Sequence, residues 1–149
     1  SAINHENQPE AMQCAVNVMN SIGAIGYINK KPNPNRILKE CQEKEIPILA
    51  IRAVQAGALT SKMDREPHPS GRDKLDFDDY EKAEAFRKLA KEWGESPASL
   101  AHRYALSIQK VSSVILGVKN TKELQECIEA ESKDNLNEVQ LKELESLFA

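Results

Sequence analysis

Residues Ser96–Cys127, SPASLAHRYALSIQKVSSVILGVKNTKELQEC, decide the reading of the fold. Ser96 followed by Pro97 is a helix start: serine caps the free amides, and proline's fixed φ suits the first helical position. Leu100, Ala101, Tyr104, Ala105 and Ile108 recur at three- and four-residue spacing, which makes a buried stripe. Ser113–Val118 then has the length and apolarity of a strand. Asn120 with Glu123 resembles a capping box that opens another helix.

Working outward, Ala11–Val16 and Pro47–Ile51 are two more short apolar runs, each followed by a segment of helical periodicity. The first precedes a glycine-containing loop, Ser21–Asn29. Asn33 caps the next helix, with Pro34 at its first position and Ile37, Leu38 and Cys41 on one face. That helix stops before Ile46, because Pro47 disfavours helical geometry in its predecessor. Asp64–Lys74 is polar, with two prolines and a glycine, and reads as a surface loop. Asp78 or Asp79 opens a helix whose apolar face is Tyr80, Ala83, Phe86, Leu89, Ala90 and Trp93, ending at Gly94. Asn137 with Gln140 is a second capping box.

The order βαβαβα, with two short C-terminal helices, implies an α/β fold around a parallel sheet. Three strands cannot close a barrel, and a complete (β/α)8 barrel takes about 250 residues. The chain has 149, so the expectation is a single incomplete domain, residues 1–149, forming half of a TIM barrel.

Composition narrows the function classes. The formal charge of −3 is no footprint for nucleic acid, and no run is long and apolar enough for a membrane span. Cys14, Cys41 and Cys127 are odd in number and widely spaced, which argues against disulfides and zinc and for a reduced, cytoplasmic setting with the thiols in the core. His5 and His68 sit in polar loops, and periodicity places His102 on the exposed side of its helix. All three read as surface residues, and no metal site is expected. Ser1 in place of Met suggests a processed or truncated start, or a cloning remnant.

Three collinear segments resemble the aldo-keto reductase family. Ile48–Lys62, ILAIRAVQAGALTSK, resembles the family's seventh strand and loop, V-I-A-Y-S-P-L-x-x-G-L-L-T-G-K. Ser96–Cys127 resembles T-P-A-Q-L-A-L-R-W-L followed by V-x-S-V-I-P-G-x-R-N-x-x-Q-L-x-E-N. Met12 to Asn17 is similar to the sixth-strand pattern V-Q-x-x-Y-N. The resemblance covers nearly all of Ala11–Phe148.

The resemblance implies an NAD(P)H-dependent reductase of aldehydes or ketones, with NADP the usual cofactor. The family's catalytic tyrosine, lysine, aspartate and histidine lie on the first half of the barrel, so no catalytic residue is carried over. Tyr27 falls in a loop, Tyr80 opens a helix and Tyr104 lies on a buried stripe. Part of the cofactor cradle does carry over. Gln13 matches the glutamine that bonds the nicotinamide carboxamide, or is a polar residue at a strand start. Val54–Thr60, including Gly57 and Leu59, matches the pyrophosphate loop, where an ordinary turn glycine would look the same. Gly117 and Lys119 match the G-x-R position that pairs with a 2′-phosphate, and the alternative for Lys119 is a solvated side chain.

The departures from the pattern are specific. Ile51 replaces the tyrosine that stacks on the nicotinamide, and Arg52 replaces a small serine and could reach a phosphate or a carboxylate. Glu123 stands at the adenine end in place of Gln or Arg, where helix capping explains it better. Cys127 replaces an asparagine that reads the adenine amine. The expected function is therefore a fragment of an oxidoreductase, inactive alone, with a carbonyl substrate only in a complete barrel. The alternative is a non-catalytic half-barrel that binds a nucleotide or a partner. Either way the open sheet predicts self-association or pairing with an N-terminal half-barrel.

Overall fold

The structure, a computed structural model, describes residues 2–28 and 33–149. Asn29, the end of the glycine-containing loop, and Ser1 lie outside the described residues. Three strands, β1 (Met12–Ala15), β2 (Ile48–Ile51) and β3 (Val111–Val114), form one parallel sheet with β2 in the centre. Among the described residues there are six α-helices: α1 (Pro34–Glu43), α2 (Lys74–Lys82), α3 (Glu84–Glu92), α4 (Pro97–Ser107), α5 (Thr121–Ser132) and α6 (Glu138–Ser146). The alternation is that of part of a TIM barrel.

Strand and helix starts follow from local chemistry. Asn33 Oδ1 accepts from the Arg36 amide at 3.0 Å, with Pro34 opening α1. Ser96 Oγ accepts from the Ser99 amide at 3.1 Å, with Pro97 opening α4. Asn137 and Gln140 form the complete reciprocal box at the start of α6. At α5 the pattern is only half met. Asn120 caps the Glu123 amide, but the Glu123 carboxylate accepts from the Lys119 amide instead of that of Asn120.

Two boundaries differ from the sequence reading. β3 begins at Val111 and ends at Val114, so the Ile115–Val118 part of the expected strand lies beyond it. The register steps from Ile48↔Val111 to Leu49↔Ser113, leaving Ser112 as an extra residue that shifts the pairing. The helix expected from Asp78 or Asp79 starts earlier, at Lys74, and breaks at Ala83 into α2 and α3. Tyr80 accordingly lies near the end of α2. Asp76 and Asp79 are buried, for a reason given below.

One face of the sheet is covered. Cys14, Ile48 and Ala50 pack with Cys41 of α1 and Ala105 of α4. A second cluster gathers Phe86 and Leu89 of α3, Leu100 and Tyr104 of α4 and Leu144 of α6 around Leu59. Because side chains alternate along a strand, Gln13, Leu49, Ile51 and Ser113 face the other way, followed by Ile115 just past β3. No described helix lies on that face of the sheet as α1 and α4 do on the covered one. No described helix is long and apolar enough to cross a membrane.

Candidate functional site

The turn that leaves β2 is built from unusual backbone. Arg52, Gln55, Ala56 and Gly57 have φ of 58°, 46°, 52° and 96°. Only glycine takes the left-handed region without a steric cost, so the other three need compensation. Arg52 and Gln55 supply it through their side chains. Arg52 Nε donates to Gln55 Oε1 at 2.9 Å, and Arg52 Nη2 donates to Asp76 Oδ1 at 2.6 Å. Gln55, fully buried, donates to Asp79 Oδ2 at 2.8 Å and to Ser21 Oγ at 2.9 Å. Arg65 joins Asp76 Oδ2 at 3.1 Å and the Ala56 carbonyl at 2.6 Å.

The same carboxylates hold the loop after β1. Asp76 Oδ1 accepts from the Ala24 amide at 3.0 Å, and Ser21 Oγ donates to Asp79. Gly23, at φ 48°, lies so close that a Cβ there would collide with Asp76 Oδ1, Gln55 Nε2 and Arg52 Nη2. Buried polar groups of this kind are stable only when fully partnered. Arg52 therefore reaches a carboxylate of its own chain, one of the two roles open to it in the sequence.

Beyond this network the turn forms one wall of a cleft of about 560 Å³ at the C-terminal end of the strands. The opposite wall is Gly117–Asn120 and the first turns of α5, with His102 of α4 between them. This is the end at which barrels of this type carry their chemistry. Five of the sequence candidates meet there: Gly57, Gly117, Lys119, Glu123 and Cys127. Gln13 and Ile51 lie apart on the uncovered sheet face, Gln13 exposed and Ile51 half-buried. The Leu59 side chain is fully buried in the core and is not part of the cleft wall.

Charge in the cleft is mixed. Lys119 forms an ion pair with Asp64 across it, and this hydrogen bond holds the Asp64 carboxyl below its usual range. Lys122 and Arg65 add cations, while Glu123 and Glu126 add carboxylates. Glu123 is committed to the α5 start, accepting from the Lys119 amide at 2.7 Å and from Asn120 Nδ2 at 3.0 Å.

Two side chains depart from their expected places. His102 is buried at 6 % exposure because α5 packs across the face of α4 that periodicity left to solvent. Its Nε2 lies 3.4 Å from Cys127 Sγ. Cys14 and Cys41 are buried as expected, whereas Cys127 is half-exposed in the cleft. Among the described residues no cluster of three or more His, Cys, Asp or Glu could hold a metal. Neither Tyr80, which donates to the Ser61 carbonyl at 3.2 Å, nor Tyr104, whose hydroxyl meets Glu145 Oε1 at 3.0 Å, lines the cleft. Burial pushes the Tyr104 hydroxyl far up, with Glu145 adding to the effect.

Comparison with known proteins agrees with the fold. The profile of the aldo/keto reductase family matches residues 7–149, and the chain belongs to that family. Among solved structures it is similar to the holo form of aldo-keto reductase AKR11C1 from Bacillus halodurans, at 15 % identity and a TM-score of 0.65. That match covers 99 % of this chain and 46 % of the other. It is also similar to the thermostable aldo-keto reductase Tm1743 in complex with the inhibitor epalrestat, at 17 % identity and a TM-score of 0.58, covering 91 % and 38 %. At these identities the likeness is one of fold. The chain spans less than half the length of either structure. No curated protein sequence matches it significantly.

Proposed function

We propose that this chain is the C-terminal, cofactor-holding part of an NAD(P)H-dependent oxidoreductase that reduces aldehydes or ketones. The observation that carries this reading is the meeting of Gly57, Gly117 and Lys119, from two separate loops, in one cleft at the C-terminal end of the sheet. The cleft suits a phosphate-bearing nucleotide. A Cβ at Gly117 would meet nothing within 4 Å, so its backbone is open to a ligand, and Gly57 holds a turn that other residues resist. Lys119 and Lys122 supply positive charge, Lys119 as a point charge toward a 2′-phosphate. A bound nicotinamide would supply the hydride; Gln13 and Ile51, on the uncovered sheet face, would orient its ring.

In this reading residues 1–149 form one incomplete barrel domain. The acid that protonates the carbonyl belongs to the other half, and the carbonyl substrate is held only in a complete barrel. Three free thiols fit a cytoplasmic setting. The second reading, a non-catalytic half-barrel that binds a nucleotide or a partner, is favoured by the carboxylates of Asp64 and Glu123, which line the same cleft and would repel a phosphate.

Calorimetric titration with NADPH, together with an assay of NADPH oxidation by reactive aldehydes, tests the proposal. It predicts saturable binding without turnover. Turnover by the purified chain would place a proton donor within it, and absence of any binding would remove the cofactor role.

A further inference from the structure

Cys127 and His102 are far apart in sequence and touch at the floor of the cleft. Cys127 sits on α5 and His102 on α4, with Sγ and Nε2 3.4 Å apart. A ring that receives the thiol proton at Nε2 carries its own proton at Nδ1. That Nδ1 is buried and has no partner among the described residues, on a side chain only 6 % exposed that lines the cleft. A histidine held for packing alone leaves such a group unpaired for nothing, since an apolar residue of its size would avoid the cost. The unpaired nitrogen and the reachable thiol point to a reaction at sulfur.

We propose that Cys127, with His102 as its base, is a site of reversible modification by small-molecule disulfides. The Cys127 sulfur attacks one sulfur of the disulfide, and its proton passes to His102 Nε2. The old S–S bond breaks as the new one forms, and the departing thiolate takes the proton from the imidazolium. The protein thiol is oxidised and the reagent reduced in turn. Burial keeps His102 neutral by lowering its pKa, so its lone pair is available. Burial, with Glu126 and Glu123 nearby, raises the Cys127 thiol. The sulfur is therefore protonated at rest, and a base is needed at the moment of attack. Cys14 and Cys41 are buried and have no histidine partner among the described residues. The added group would fill the cleft beside Gly117 and Lys119, which couples the thiol state to whatever the cleft binds.

The test is to expose the native protein to oxidised glutathione and to locate the mixed disulfide by mass spectrometry, a readout independent of nucleotide binding. The expected result is modification of Cys127 ahead of Cys14 and Cys41, at a rate above that of the same cysteine in a free peptide of residues 121–132. His102→Ala, verified as folded by a cooperative melt, should react at least roughly tenfold more slowly, since a positioned base contributes about 10²–10⁴-fold. Added imidazole should restore part of the rate. If His102→Ala does not fold, the comparison of native Cys127 with the peptide decides alone. A native Cys127 that reacts no faster than the peptide, or a folded His102→Ala that reacts as fast as wild type, overturns the proposal.

Discussion

Arg52 Nη2 and Asp76 Oδ1 lie 2.6 Å apart, with the two side chains only 16 % and 6 % exposed. The pair joins the turn after β2 to the first turn of α2, and Asp76 carries the contact onward to the Ala24 amide and to Arg65. One carboxylate thus fixes the loops after two strands. Removing it leaves guanidinium groups partly buried without their partner, which typically costs about 3–5 kcal/mol. Asp76→Ala should lower the unfolding free energy by about that much in urea. Gly23→Ala acts on the same contacts by steric collision. The double variant should then be clearly less destabilised than the sum, because neighbours sharing a network do not add.

His102 makes stability depend on pH in a defined direction. Burial lowers its folded-state pKa below the ordinary 6.5, so the unfolded chain binds the proton more readily. Its contribution is fully present above about pH 7 and is lost as pH falls through 6.5 toward the folded value. Between pH 7.5 and 5.5 the melting temperature of wild type should fall further than that of His102→Asn. Parallel pH curves for the two would show that His102 is not buried in solution.

The uncovered sheet face predicts association. Ile115, just past β3 on that face, is 47 % exposed, and Leu116 and Val118 after it are exposed as well. β1 and β3 are both sheet edges. Covering several hundred Å² at ~25 cal/mol per Å² is worth several kcal/mol. Light scattering after size exclusion at micromolar concentration should show a dimer, or a complex with an N-terminal half-barrel when one is supplied. A stable monomer in both cases would contradict this.

Lys119 should bias the cleft toward NADPH over NADH. A charge-assisted contact to phosphate is worth about 1.5–3 kcal/mol, reduced here by the competing Asp64. Lys119→Ala should weaken NADPH binding roughly tenfold and NADH binding hardly at all. Equal losses for both would show that Lys119 does not read the 2′-phosphate.

The fold was legible where local chemistry decides it. Pro34 and Pro97 behind their caps, the α4 stripe from Leu100 to Tyr104, and Gly94 at φ 71° all read directly from the sequence. The site was legible only in part, because its remaining features depend on which elements meet. Asp79 reads as a helix-start carboxylate, and Asp76 carries no signal of its own, until Gln55 and Arg52 are placed against them. Arg52 after an apolar strand was the available signal, since a cation there needs an anion. His102 looked solvated because periodicity along α4 cannot reveal that α5 covers its second face. Leu59 resembled a loop residue but fills the core below the loop.

The most direct measurement of the central claim is an amide-resolved NMR titration of the chain with NADPH. Gly57, Gly117, Lys119 and the first turn of α5 should shift together and saturate, with Gln13 following on the open sheet face. Shifts confined to other surfaces, or none at saturating nucleotide, would contradict a nucleotide site in this cleft.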